Sequence, residues 1–576
     1  MNFDIEQVPF SIKGSYIAVS RFKADFCNLG NPEGVFLRSI HGLTYIPNST
    51  MLNRPPFCAR IVPAAGGHEL SYALYADEAE VRMVTEHGEV HMCFADEDTL
   101  LLGGSGSGVD LELIDGNYAY TVGACGQRHI MMNCGPNGRR FLIRCEEGAV
   151  TLVRQRAEPC CRTIRFRADE GGTFLAAIED VAEEWKPAAR TFCYEESRAA
   201  RRRDFDNFLE TVPMTPPEYE EARRLAAYVN WSCIVKKAGL LKRDGMLMAK
   251  NWMCNIWSWD HCFNALALSR RNPALAWDQF MLPFDFQGES GRIPDCVSDT
   301  YAIWTFCKPP VHGWTLSKMM KVMELTVPQL SEAYEKLSKW TDWWLIWRDG
   351  DGDGICEYHH GCDSGWDNST AFRKHPVMET PDLAAFLILQ METLHQLALK
   401  LGLPDESAGW KDKADHMLEA MLRHCFDGVR PRALVSGTHE EVACDSLLLY
   451  LPLLLGEKLP AGIRKSMVAA LKDKFLTPYG LATEAIESIY YEPDGYWRGP
   501  VWAPSTLLLV EGLDRCGEHA LAAEIAKRYC NMAADSGFAE NFDALTGEGL
   551  RDKAYTWTSS VFLILAEEYL ITLADE

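Results

Sequence analysis

The apolar residues of this chain change their spacing near residue 215. Before that point they come in short β-branched or aromatic runs (14–22, 34–40, 59–64, 80–85, 89–95, 118–124, 140–145, 149–155 and 163–168) parted by Gly, Asn, Pro and Asp. Such runs predict strands joined by turns, here an antiparallel β-sandwich over residues 1–185. The glycine cluster from Gly103 to Gly108 has neither of the phosphate-loop spacings and reads as a flexible loop. A charged stretch from 178 to 212 predicts a solvated helix in a linker region at 186–215.

From 216 to 576 the apolar period lengthens to about 3.6. It predicts helices at 217–237, 259–270, 273–285, 311–325, 328–348, 380–402, 406–426, 443–453, 460–474, 503–515, 517–535 and 557–573. Twelve helices in series without intervening strands make either a superhelical array or a closed barrel of six hairpins. The lack of a fixed sequence repeat argues against the array. The connections at 286–310, 349–379 and 475–502 are long and rich in glycine, tryptophan and acidic residues, and long connections on a compact scaffold are where sites sit.

Composition narrows the partners. Lys+Arg 57 against Asp+Glu 81 leaves a net charge of -24, which disfavours nucleic acid and anionic membranes and suits a neutral or cationic small substrate. The 20 cysteines are scattered without a CxxC pair and read as reduced thiols. The first residues show no secretory signal pattern. The longest apolar run, 447–455, contains Pro452 and falls short of the roughly 18 residues that suggest a membrane span. The expectation is a cytoplasmic protein, with subunit number left open.

Five segments combine aromatic faces, carboxylates and glycine: 255–260 (NIWSWD), 308–314 (KPPVHGW), 363–369 (DSGWDNS), 496–502 (YWRGPVW) and 538–547 (FAENFDALTG), the last just ahead of Tyr555 and Trp557. A lone tryptophan is ordinary core, but five such segments in five loops suit sugar rings, which stack on aromatic faces and bond through their hydroxyls. Trp257, Trp259, Trp314, Trp366, Trp497, Trp502 and Trp557 are therefore candidate walls of a substrate pocket. Asn368 and Arg498 are candidate hydroxyl donors, and Arg498 alternatively steadies a catalytic carboxylate. Asp260 either binds substrate or caps the helix that follows. Hydrolysis of a glycosidic bond with inversion needs a carboxylic acid at the leaving oxygen and a carboxylate that activates water across the ring, about 6.5–9.5 Å apart. From the residues alone Asp363, Asp367 and Asp382 compete for the first role, and Glu379, Glu484 and Glu540 for the second. Trp366 beside Asp367 predicts a partly desolvated carboxyl there.

These segments resemble the clan of inverting α-glycosidases that includes trehalases and processing α-glucosidase-like enzymes, particularly the bacterial glucosidase and mannosylglycerate hydrolase branch of glycoside hydrolase family 63. The resemblance spans roughly 215–576. It implies a mainly α fold, an (α/α)6-barrel catalytic domain at 216–576 behind the N-terminal β-sandwich. It also implies an inverting, exo-acting hydrolase that removes a terminal α-linked sugar, glucose foremost, from a small glycoside or disaccharide. The family's GWDNS-type segment supplies the general acid, which falls on Asp367. Its general base lies in a Glu-x-Tyr segment followed by a Thr-Gly turn and a Tyr-x-Trp-Thr helix start, which falls on Glu540, with Phe542 where Tyr is common. The rivals are a sugar phosphorylase on the same barrel, in which phosphate replaces water, and a non-catalytic carbohydrate-binding protein.

No HExxH and no paired Cys/His spacing supports a catalytic metal or other cofactor. His312, His359 and His360 read as isolated. The run 349–357 (DGDGDGICE) resembles the first half of an EF-hand loop, but its twelfth position is His360 instead of glutamate. By the family's comparable calcium loop, Asp349, Asp351, Asp353 and Glu357 are expected to ligate one structural Ca2+.

Overall fold

The N-terminal runs pair into two antiparallel sheets, and several of their strands are buried along nearly their whole length. The computed structural model describes residues 1–23, 33–42, 57–114, 119–124, 128–134, 139–153, 162–181 and 191–571; the first part of the expected linker, 186–190, lies outside them. Among the described residues, a seven-stranded sheet runs in the order Ile17–Phe22, Gly34–Ser39, Phe57–Ala65, Gly108–Leu113, Thr163–Arg167, Ala149–Val153, with His68–Glu69 paired to Phe57–Ala65. An eight-stranded sheet runs Tyr120–Ala124, His129–Cys134, Arg139–Glu147, Thr173–Asp180, Thr99–Ser105, Gly88–Asp96, Val81–Thr85, Ala73–Ala76.

The glycine cluster is strand, not flexible loop. Gly103 and Gly104 lie in Thr99–Ser105, opposite His91 and Val90. A Cβ at Gly103 would meet the His91 ring at 2.6 Å, and one at Gly104 would meet the Phe174 ring at 2.5 Å. Gly106, at φ +70°, turns the chain from one sheet into the other. These glycines are there for close approach and a left-handed turn.

By its contacts the chain divides into a unit of Met1–Glu210, Ala227–Lys237 and Ala249–Asn255 and a unit of Thr211–Ala226, Ala238–Met248 and Ile256–Glu576. In the first, helix α1 (Tyr194–Leu209) packs on Gly88–Asp96, buries Phe205, Phe208 and Leu209, and pairs Arg198 with Glu80. Helix α2 (Glu220–Cys233) is shared between the units. Arg38, fully buried, anchors the 249–255 segment. Its Nη1 donates to the Ser20 hydroxyl (3.1 Å) and to the Lys250 carbonyl (2.8 Å), its Nη2 donates to the Asn251 carbonyl (2.6 Å), and its guanidinium lies over Phe22 and Trp252.

The second unit is helical: α3 (Asp260–Leu268), α4 (Pro273–Met281), α5 (His312–Val322), α6 (Val327–Trp347), α7 (Pro381–Leu401), α8 (Pro404–His424), α9 (Ala461–Ala470), α10 (Ala503–Arg515), α11 (His519–Ser536) and α12 (Thr556–Leu565). These fall close to the helices that the 3.6 period predicts. Local chemistry sets several ends. Thr326 and Gln329 form a capping box at the start of α6, and Gly402, at φ +73°, closes α7 just before Pro404 opens α8. The expected helix at 443–453 is instead a 3-10 segment, Leu447–Lys458. Pro452 supplies no amide hydrogen, and Gly456 takes φ +56°, so an α ladder cannot run through this leucine-rich stretch. Short ladders also occupy the connections where no strand is expected, among them Ile256–Trp257 with Cys296–Val297, and Asn541–Phe542 with Gly549–Leu550.

Contacts among the most apolar helices close on themselves: α3 packs on α5, α5 on α7, α7 on the 3-10 segment, that segment on α10, α10 on α12, and α12 on α3. Helices α4, α6, α8, α9 and α11 alternate with them along the chain and pack from outside the cycle. No helix among the described residues is long and apolar enough to cross a membrane, and the described cysteines are free thiols.

Replacing Arg38 by Met leaves two buried carbonyls and a hydroxyl without their donor. The expected cost is about 3 kcal/mol, read as an earlier unfolding transition by urea titration. An unchanged midpoint contradicts the anchoring role.

Candidate active site

The motif-bearing segments lie at corresponding places in the helical cycle. Trp257 to Asp260 lead into α3, 308–311 into α5, 363–369 precede α7, Trp502 is the residue before α10, and Trp557 lies in the first turn of α12. The inner helices alternate with outer ones, so their N-terminal ends gather at one end of the cycle. The side chains meet there. Trp366 lies 4.7 Å from Trp497, Trp497 stacks on Trp502 at 4.0 Å with 7° between planes, and Trp502 and Trp259 both meet Trp557 edge-on, at 5.6 and 5.7 Å. Each of these indoles is at most 3% exposed.

Hydrogen bonds tie three of the loops into one piece. Asn368 donates from Nδ2 to the Gly495 carbonyl (3.0 Å) and accepts at Oδ1 from the Trp497 amide (2.9 Å). Val501 and Phe542 exchange both backbone bonds, at 2.7 and 3.0 Å. The turn that carries Asp367 is thereby linked through residues 495–501 to the strand that follows Glu540. Asn368 thus braces two of the loops, while its side chain is exposed on the cleft that it lines.

Glu540 is 5% exposed. Burial pushes its carboxyl up to about 7; the Asp552 and Asp367 charges add to the rise, whereas the Arg551 guanidinium and a hydrogen bond from the Tyr496 hydroxyl oppose it. Tyr496 feels the charges of both Glu540 and Asp367, so the two carboxylates share one electrostatic neighbourhood around this phenol. Tyr496 and Arg551 have φ of +64° and +60°, unusual for residues other than glycine. Arg551 is bonded to Asn541 (3.0 Å), paired with Asp494 (2.6 Å) and stacked over the Tyr496 ring at 4.9 Å. Strain of about 1–3 kcal/mol at such a residue is characteristic of sites that must hold one geometry.

Desolvation thus falls mainly on Glu540, since the Asp367 side chain keeps 35% exposure. Asp367 faces a cleft of about 590 Å³ that it lines together with His360, Asn368, Arg373, Tyr490 and Arg498, among others. On its other side Lys308 stands 4.0 Å from Asp367 Oδ1, 3.1 Å from Asp295 Oδ1, and donates to the Cys362 carbonyl (2.8 Å). Burial works against the Lys308 charge, but Asp295 and Asp367 outweigh it and raise its affinity for the proton. Asp260 is 3% exposed with Oδ2 unpaired, and burial pushes its carboxyl well above the usual range. It sits in the first turn of α3 and makes no side-chain cap. The Trp557 Nε1 is likewise buried and unpaired. An orphaned acceptor and an orphaned donor in one aromatic-walled region are suited to sugar hydroxyls.

The rival carboxylates are engaged elsewhere. Asp363 bonds Arg348 (2.8 Å) and the Cys307 and His359 amides. Asp382 accepts from the Tyr358 hydroxyl (3.0 Å), Glu379 contacts His424 (2.5 Å), and Glu484 accepts from Thr370 (2.7 Å) and Ser488 (2.6 Å). Arg498, offered as a brace for a catalytic carboxylate, is instead ion-paired with Glu492 at 2.8 Å. Trp314 is 1% exposed, donates to Glu511 (3.0 Å) and reaches the aromatic cluster through Phe263. Trp257 is half-buried on its short strand. Lys308, Asp295, Tyr496 and Arg551 are site residues that sequence reasoning did not single out. Lys308 and Tyr496 stand at the ends of two quoted motifs, whereas Asp295 and Arg551 carry no local signal.

The acidic loop gathers Asp349, Asp351 and Asp353, but not Glu357. Glu357 is 4% exposed; its oxygens take the Ser436 hydroxyl (2.7 Å), His359 Nε2 (3.1 Å) and the Gly350 amide (3.2 Å). Glu357 thus stands outside the cluster that the three aspartates form. His312 is not an isolated surface residue either: it is buried, with its ring 5.5 Å from His261 and packed on Phe284.

A family model described as the mannosylglycerate hydrolase MGH1-like glycoside hydrolase domain matches residues 253–558, more than half of the chain. The mannosylglycerate hydrolase MGH2 of Selaginella moellendorffii is 25% identical over 395 residues, which cover 53% of this chain and 79% of that protein. The glycoside hydrolase family 63 mannosylglycerate hydrolase of Thermus thermophilus, solved in complex with glucose, matches in structure with a TM-score of 0.52 at 23% identity, over 59% of this chain and 98% of its own. A bacterial glucoamylase gives 0.60 at 10% identity, over 98% and 94%. These two structural likenesses are ones of fold. With the family model spanning most of the helical unit and every motif segment, the chain belongs to the mannosylglycerate hydrolase MGH1-like family and is a glycoside hydrolase.

Proposed function

We propose that this hydrolase removes a terminal α-linked glucose from a small glycoside by a single inverting displacement, with Asp367 as general acid and Glu540 as general base. The closed cycle of inner helices, backed by alternating outer ones, is on this reading an (α/α)6 barrel, and the two N-terminal sheets are the layers of a β-sandwich. The observation that carries the proposal is the hydrogen-bonded path from the Asp367 turn to Glu540, with Tyr496 feeling both carboxylates. A carboxyl poised at about 7 suits a base that must take a proton from water near neutrality. Asp260 and the Trp557 indole would hold the hydroxyls of the terminal sugar ring.

The net charge of the chain does not describe this cleft. Its wall carries Arg373, whose guanidinium is held by the Ala443 carbonyl and stacked on Tyr490, beside Lys374 and Arg498, which are paired with Glu440 and Glu492. A cation held by a neutral carbonyl retains its charge for a ligand. An aglycone with a carboxylate suits it, in keeping with relatives named for mannosylglycerate and glucosylglycerate. In a phosphorylase the same cations would receive phosphate and Glu540 would have no proton to take.

Turnover of α-linked glucosides and mannosides of glycerate and of neutral sugars, in phosphate-free buffer, tests the proposal directly. Hydrolysis is expected without phosphate, whereas an absolute requirement for phosphate contradicts it. Asp367→Asn and Glu540→Gln are each expected to lower kcat by at least ~100-fold with the fold retained; a variant that keeps more than a tenth of the rate removes that residue from the mechanism.

Glu540 must be ionised to act, so kcat/KM is expected to fall as pH drops through about 7. Tyr496→Phe removes a bond to the ionised form and should move this limb up by about 0.5–1 pH unit; an unmoved limb contradicts the contact. Because folding raises the Glu540 pKa above its unfolded value, its favourable contribution is full below the unfolded pKa and is lost as pH rises through about 7. Glu540→Gln is therefore expected to melt about 2–5 °C above the parent at pH 8, with the gain shrinking toward pH 5. Arg373→Gln should raise KM for acidic aglycones about 10-fold or more and leave neutral ones within about twofold; equal effects on both refute an anion subsite.

A further inference from the structure

Beside the acidic loop, four segments of the helical unit bring two imidazoles and two carboxylates together. Asp353 comes from the loop after α6, Glu379 from the strand Met378–Glu379, His424 from the last turn of α8, and His439 from the turn between the strands Ala433–Val435 and Glu441–Val442. One donor atom from each lies within 4.8 Å of the others. His424 Nε2 is 2.5 Å from Glu379 Oε2 and 3.5 Å from Asp353 Oδ2, and His439 Nε2 is 3.6 Å from Asp353 Oδ2.

Two of these separations are long for hydrogen bonds. They match the spacing of two ligands on one tetrahedral ion, about 3.4 Å for bonds of about 2.1 Å. Glu379 is fully buried, and its Oε1 has no partner. A buried carboxylate oxygen left unpaired is costly, and a cation at this position would satisfy it. The backbone is fixed on every side. Glu379 pairs with Leu434, the His424 carbonyl accepts from Arg432 (3.1 and 2.9 Å), and the His439 amide donates to the Val435 carbonyl (2.8 Å). Asp351 Oδ2 accepts from the Gly437 amide (3.0 Å) and lies 2.8 Å from His439 Nε2, beside the same centre.

We propose that Asp353, Glu379, His424 and His439 form a structural binding site for a divalent transition metal of the zinc class, outside the catalytic centre. Calcium takes six to eight oxygens and has no use for imidazole, whereas two imidazoles and two carboxylates are a donor set for Zn2+. Two carboxylate charges neutralise the ion, which makes its burial tolerable. The bound ion would join the acidic loop, the end of α8 and the 436–440 turn to the strand at 378–379, just beyond the Arg373–Pro376 stretch that lines the cleft. It would staple that wall and take no part in bond cleavage.

The test uses untagged full-length protein, stripped with a chelator and titrated calorimetrically with Zn2+ and, separately, Ca2+, with melting curves for each. One Zn2+ per chain and a raised Tm are expected, with no comparable response to Ca2+. His439→Gly, which keeps the φ of +54° without strain, should weaken Zn2+ by more than about tenfold and abolish the visible absorption that tetrahedral Co2+ gives in the parent. Absence of stoichiometric Zn2+ binding, unchanged affinity in His439→Gly, or a stronger response to Ca2+ each overturns the assignment. The first of these outcomes means that the histidines are simply salt-bridged to the carboxylates.

Discussion

Trp557 meets Trp259 edge-on at 5.7 Å, and this contact lies where the last helix of the cycle closes on the first. The proposed chemistry depends on that closure. It brings the loop ahead of α12, with Glu540, against the loop ahead of α3, with Asp260. An aromatic contact of this kind adds about 0.5–1.5 kcal/mol beyond its burial, but its larger effect is to exclude water. In that drier region a carboxylate pays for losing solvent, and Glu540 registers the cost as a pKa near 7. The strain at Tyr496 and Arg551 belongs to the same arrangement, since these residues supply the bond and the positive charge that keep Glu540 ionisable. Stability given up at a functional site is a common exchange.

The helical half was largely readable in advance because its signal is local. Ten expected helices have counterparts within a few residues, from α3 to α12, since an apolar stripe of period 3.6 is set by residues three and four apart. The leucine-rich stretch at 443–453 misled for the opposite reason: its hydrophobicity was right, but Pro452 and Gly456 decide the backbone. At Gly103 to Gly108 a run of glycines looked like freedom and proved to be close packing against His91 and Phe174.

The site was legible as a set of aromatic segments, and its electrostatics were not. Which carboxylate is buried follows from tertiary packing: Trp366 beside Asp367 suggested desolvation there, yet Glu540 is the more enclosed. Partners distant in sequence, such as Lys308 with Asp295 or Arg551 with the Tyr496 ring, have no local pattern to betray them. Glu357 stands at a plausible ligand position in the loop, but Ser436 and His359 occupy its oxygens, while His424 and His439 approach the same loop from far along the chain.

The proposed displacement stands on two carboxyl groups working across a single glycosidic bond in one step. Its most direct measurement is the anomer first released from an α-linked substrate, followed by proton NMR before mutarotation. The account predicts the β-anomer in the earliest spectra, followed by slow appearance of the α form. The α-anomer at the outset would mean a covalent intermediate and two displacements, and would contradict it.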